Sequence, residues 1–178
     1  MLTLRGFAIA VPLLLLGLGT SHASAQYDFY QHHLLASCSL APPDRGVPVT
    51  TANGVGMTHR AGVGLDVVMY CPIDSGDASP TFNWLKVNAE DNTPNGYVTA
   101  TLYRQQAGFY VFTPPEVIAS VTTTDMPGVQ EAGTSPSDEF YLMPLDDMSY
   151  VYWIEVRIHR TSTSANLIAY VVSLMDVL

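Results

Sequence analysis

The chain has 178 residues, a formal net charge of −9 and 48% apolar residues, with seven Lys or Arg against sixteen Asp or Glu. That length holds one domain with a sizeable core. So acidic a balance excludes an electrostatic basis for binding nucleic acid or anionic lipid, because both depend on Lys and Arg neutralising phosphates.

Residues 1–25 read as a signal peptide. "MLTLRGF" carries one positive charge at Arg5, "AIAVPLLLLGLG" is an apolar run of signal length, and "ASA" at Ala23 to Ala25 is a small-residue cleavage signature. Cleavage after Ala25 is expected. An uncleaved anchor is the competing reading, but the run falls short of the roughly 20 apolar residues that span a bilayer. No cysteine follows the run to accept a lipid. The chain is therefore read as exported, secreted or periplasmic, and its acidity as a contribution to solubility.

Residues 26–46 look irregular, with room for a short helix or strand before Pro42-Pro43, and residues 47–178 read as the β-sandwich domain. Cys38 and Cys71 make an even pair in an exported chain, which predicts a disulfide. Closing a loop of about 34 residues contributes roughly 4 kcal/mol in the chain-entropy model.

From Val47 onward, strand-like runs alternate with turn signals. "GVGLDVVMYC" places Val63, Leu65, Val67, Met69 and Cys71 on one face, with Gly64, Asp66, Val68 and Tyr70 on the other. In "TFNWLKVNA", Leu85, Val87 and Ala89 share a face opposite Phe82, Trp84 and Lys86. "YVTATLYRQ" turns Val98, Ala100 and Leu102 inward and Tyr97, Thr99, Thr101 and Tyr103 outward. "FYVF", "EVIASVTTT" and "FYLMPLDD" continue the series, with a looser stretch before the last of them. In "YVYWIEVRIHR", Tyr152, Ile154, Val156 and Ile158 oppose Trp153, Glu155, Arg157 and His159. "TSTSAN" then reads as a hairpin loop, and the return strand from Leu167 is apolar on both faces, which places it centrally in its sheet.

No window after the leader keeps helical periodicity for three turns, and β-branched and aromatic residues dominate. The expected fold is all-β: a single, mainly antiparallel β-sandwich, jelly-roll or immunoglobulin-like, of about eight or nine strands. A transmembrane helix at the C-terminus is disfavoured, since "LIAYVVSLM" runs only nine residues before Asp176. A membrane barrel is disfavoured too, because several runs are short or apolar on both faces and a disulfide sits poorly in a barrel wall.

Chemistry is sparsely signalled. Serine-hydrolase, zinc-protease and phosphate-loop motifs are absent, and oxidised cysteines offer no nucleophile. His32, His33, His59 and His159 lack the spacing of a three-ligand or four-ligand metal site. The acidic pairs Glu90-Asp91, Asp138-Glu139 and Asp146-Asp147 fall in turn-rich stretches. Calcium has weak support near Asp74 and Asp77, whose "DSGD" offers loop oxygens without the calcium-loop pattern. No other cofactor is expected.

Trp84, Tyr97, Tyr103 and Trp153 fall on strand faces turned away from the main apolar rows, where rings stack on sugars or pack a second core. Three functions follow in order. The first is a non-catalytic structural or adhesive module, with self-association through the apolar last strand ranked below ordinary pairing of that strand within its own sheet. The second is carbohydrate binding through an exposed aromatic face. The third is a hydrolase with dispersed carboxylates.

Overall fold

The computed structural model describes residues 30–42, 49–52, 54, 56–59, 66–73, 81–107, 113–124, 126–134, 143–144 and 150–175. The leader, residues 1–25, lies outside them.

Thirteen strands and one turn of 3-10 helix make up the described chain, an all-β sandwich in which every strand pair is antiparallel. The first sheet runs β10 (Met126–Thr134), β7 (Trp84–Asp91), β13 (Leu167–Met175), β4 (Gly56–His59), β3 (Val49–Ala52), and β1 (Tyr30–Leu34) pairs further along β13. The second runs β2 (Ser39–Leu40), β5 (Val67–Pro72), β12 (Tyr150–Arg160), β8 (Gly96–Gln106), β9 (Glu116–Thr122). β6 (Thr81–Phe82) and β11 (Met143–Pro144) form a small separate pair. Strands of two to four residues raise the number above eight or nine; they borrow length from long neighbours and leave little trace in a sequence pattern.

Inward rows are those that period-two alternation demands. Val67, Met69 and Cys71 of β5, Ile154, Val156 and Ile158 of β12, and Val98 and Ala100 of β8 are buried against Leu85, Val87 and Ala89 of β7 and Leu167, Val172 and Leu174 of β13. Central β13 has β7 along one side and β1 and β4 along the other, so both its edges are paired. Apolar residues on both faces suit that position.

Three expectations change. Within the stretch read as irregular, Tyr30–Leu40 forms β1, the 3-10 turn Leu35–Ser37 and β2, which pair into the two sheets. Pairing with the full-length partners β13 and β5 supplies the hydrogen bonds that local sequence does not advertise. Phe82, placed on the outer face, is buried in the core. Asn83 interrupts the strand, its N–H donating to the Met175 carbonyl at 3.1 Å, and the alternation changes phase there.

Finally, β12 and β13 are not a hairpin. β12 already pairs with β5 and β8 in the second sheet, and "TSTSAN" carries the chain across to the first. The β7–β8 connection makes the same crossing nearby, and Gly96 is needed there because a Cβ would strike the Leu167 side chain and the His159 carbonyl. Buried Asp91, at the end of β7, accepts a hydrogen bond from the Thr123 hydroxyl at 2.7 Å, and Thr123 accepts one from the Val98 N–H at 2.9 Å. Those two bonds tie the ends of both sheets together.

The disulfide forms between Cys38 and Cys71, with Cα atoms 4.7 Å apart. It sits where the chain passes from β1 in the first sheet to β2 in the second, and pins that passage to β5.

Candidate functional site

The outer face of the second sheet gathers the polar and aromatic half of each alternating strand. Register arranges these side chains in rows across the sheet. Pro72, Trp153, Tyr103 and Val117 stand opposite one another on β5, β12, β8 and β9 and make an apolar row. Tyr70, Glu155, Thr101 and Ser120 form the next, and Val68, Arg157, Thr99 and Thr122 the one beyond. Hydroxyl pairs join β8 to β9, Thr101 with Ser120 and Thr99 with Thr122, each at 3.0 Å.

A groove of about 510 Å³ opens over the first two rows, lined by Tyr70, Tyr103, Pro115, Trp153 and Glu155. Tyr103 and Trp153 are direct cross-strand partners, and their rings lie stacked with centroids 5.5 Å apart and planes 17° from parallel. That offset arrangement suits two quadrupoles, and it holds both rings in place before anything binds. Tyr70, 38% exposed, flanks Glu155 from β5.

Beside the groove runs a charged chain. Glu155 Oε1 accepts from Arg157 Nη2 at 3.2 Å, Arg157 Nη1 donates to Asp66 Oδ2 at 2.9 Å, and Asp66 Oδ1 bonds His159 Nδ1 at 2.5 Å. Tyr97, 38% exposed, stacks on the His159 ring with centroids 4.7 Å apart. Burial pulls the Arg157 guanidinium down, but its hydrogen bonds and proximity to Glu155 and Asp66 outweigh that and raise its pKa overall. Partial burial raises the Tyr103 phenol above its usual value, Glu155 adds to the rise, and Arg157 partly offsets it.

Of the four rings singled out in the sequence, Tyr97, Tyr103 and Trp153 share this face and Trp84 does not. β7 belongs to the first sheet, so Trp84 points from the opposite outer surface, where its indole covers Gly133 of β10 so closely that a Cβ there would collide with it. That surface has a smaller hollow of about 310 Å³ lined by His32, Leu34, Lys86, Asn88, Val171 and Ser173, in which His32 Nδ1 meets the Ser173 hydroxyl at 2.6 Å.

The histidines do not converge. His32 faces outward on β1, its neighbour His33 is turned the other way with pKa lowered by burial and by His32, His59 is buried on β4, and His159 lies on the second sheet. Among the described residues no group of three or more His, Cys, Asp or Glu is placed to hold a metal ion. Asp74 and Asp77 lie outside the described residues, as do Asp138-Glu139 and Asp146-Asp147. Glu90 and Asp91 separate, Glu90 turning outward to accept from the Tyr170 hydroxyl at 3.1 Å and Asp91 facing the core.

Sequence reasoning put Tyr70 and Glu155 on outer faces without assigning them to a site, and did not single out Pro115. The Asp66–Arg157 contact spans 91 residues, so no local signal announces it.

No protein-family model matches the chain, and no curated protein matches it. Among solved structures it is similar to a family two carbohydrate esterase from Cellvibrio japonicus, at 10% identity and a TM-score of 0.34, over 83% of this chain and 34% of that one. The chain spans about a third of that structure. Among the described residues no helix is long and apolar enough to cross a membrane.

Proposed function

We propose that the chain is an exported, non-catalytic binding module that holds a glycan in the groove over Tyr103 and Trp153. The observation that carries this reading is the stacked Tyr103–Trp153 pair inside a groove of about 510 Å³, with a carboxylate at its side. A sugar ring has an apolar C–H face and a rim of hydroxyls, so it needs aromatic surface next to fixed polar groups. Here ring surface comes from Trp153, Tyr103 and Tyr70, and the acceptor is the Glu155 carboxylate. Export rests on the leader pattern of residues 1–25 together with the Cys38–Cys71 disulfide.

The test is affinity electrophoresis through gels holding soluble xylan, galactomannan, mixed-linkage β-glucan or glycol chitosan. At least one polymer retards the protein, and Trp153→Ala or Tyr103→Ala weakens that retardation about tenfold while the domain stays folded. No retardation by any polymer, or binding unchanged in both variants, refutes the reading.

Self-association is the second reading. It draws on Val117 and Val129, 52% and 67% exposed on β9 and β10, which stand at sheet edges among the described residues. Light scattering across a wide concentration range decides it: a constant monomer mass of about 17 kDa for residues 26–178, the value at roughly 110 Da per residue, removes it.

A further inference from the structure

We infer that the groove selects glycans bearing a free ammonium group, an unacetylated amino sugar, over neutral or acetylated ones. The inference rests on the glycan reading of the same groove and adds the charge of its ligand.

Three features of the face point to a cation. First, among the described residues the groove wall combines three aromatic rings, Tyr70, Tyr103 and Trp153, with one carboxylate, Glu155, and no basic side chain. Negative ring faces beside an anion are the surroundings in which an ammonium loses little on leaving water. Second, the nearest guanidinium is already committed. Arg157 gives Nη1 to Asp66 at 2.9 Å and Nη2 to Glu155 at 3.2 Å, so one positive group faces two carboxylates on the described part of this surface. Asp66 is shared further with His159 at 2.5 Å, at the end away from the groove. Third, Glu155 uses only Oε1 in that chain; Oε2 has no hydrogen-bond partner among the described residues. The Glu155 side chain is 17% exposed and lines the groove, and this oxygen is not fully buried, so a ligand in the groove can reach it.

A neutral sugar draws equally on the rings and can give Glu155 a hydroxyl hydrogen bond, but no ion pair. A sugar with –NH₃⁺ gains an ion pair to Oε2 and a cation–π contact with the neighbouring rings, in a partly desolvated groove where both are stronger than on an open surface. The chain's formal net charge of −9 adds long-range attraction for a cationic polymer.

The closing experiment compares two soluble probes, a β-1,4-linked glucosamine hexamer and its fully N-acetylated counterpart, titrated into the purified protein by calorimetry. They share the same sugar backbone and differ at each C2 nitrogen, an ammonium in one and an acetamide in the other, and Glu155→Gln separates the charge from the bulk of the acetyl group. The expected result is a roughly tenfold tighter dissociation constant for the glucosamine hexamer, a preference cut severalfold in Glu155→Gln, where only the cation–π contacts and the net charge still favour the ammonium. Glutamine keeps the shape and an acceptor for Arg157, and the wild-type comparison stands by itself if that variant folds poorly. Equal affinity for the two hexamers, or a preference undiminished in Glu155→Gln, overturns the ammonium inference and leaves glycan binding in place. Binding of neither hexamer, with no polymer retarded in the gels, overturns both.

Discussion

Removing the disulfide perturbs this fold at a defined point. In the double variant Cys38→Ala with Cys71→Ala, the 33-residue separation between the cysteines no longer constrains the unfolded chain. Loop-closure entropy for that length amounts to roughly 4 kcal/mol at 25 °C. Cys71 is fully buried in the core, so alanine is the appropriate replacement: it leaves no hydroxyl without a partner and loses only the volume of one sulfur. In a domain of this size a loss of 4 kcal/mol lowers the unfolding midpoint by about 8–16 °C. Native pairing is expected to survive, because β1 keeps its five register partners on β13 and β2 keeps its place beside β5. The assay is urea unfolding of the variant, the oxidised protein and the oxidised protein treated with dithiothreitol. The reduced protein should track the variant, since the link and not the sulfur atoms carries the effect. A loss below about 1 kcal/mol would refute the reasoning, showing that the unfolded chain gains little freedom when the link is cut.

Other outcomes test separate parts of the molecule. Thr123→Val removes the hydroxyl that donates to buried Asp91 at 2.7 Å and accepts from Val98 at 2.9 Å, and should cost about 3 kcal/mol by urea unfolding; a cost under 1 kcal/mol would mean that water replaces it. His33 has its pKa held below the ordinary 6.5 by burial and by His32, so the unfolded chain takes up a proton first as pH falls. Stability should therefore decline from pH 6.5 down through the folded pKa of His33, and an NMR titration should place its midpoint below 6.5. A midpoint at or above 6.5 would remove that contribution.

Much of the site was legible as strand geometry. In "YVYWIEVRIHR" and "YVTATLYRQ" strict alternation assigned Trp153, Glu155, Arg157, Tyr97 and Tyr103 to outer faces, and their burial agrees: Ile154, Val156, Ile158, Val98 and Ala100 are fully buried behind them. The apolar Leu167–Met175 run implied a strand paired along both edges, which β13 is. Alternation failed at Phe82, where Asn83 leaves the strand to bond the Met175 carbonyl, a partner 92 residues away by number.

Local pattern was therefore enough for the face of each long strand and the pairing of the two cysteines, because a pleated strand turns successive side chains to opposite sides whatever its neighbours are. Tertiary structure alone decided which outer faces became one surface. It put Trp153 beside Tyr103 and Glu155 beside Tyr70, sent Trp84 to the opposite side of the sandwich, and brought Asp66 to Arg157 across 91 residues. Strand order follows from how all the apolar rows are buried together and every interior N–H and C=O is paired at once. "TSTSAN" makes the point: its residues suit a hairpin, yet β12 had both edges taken by β5 and β8, so the chain crossed to the other sheet.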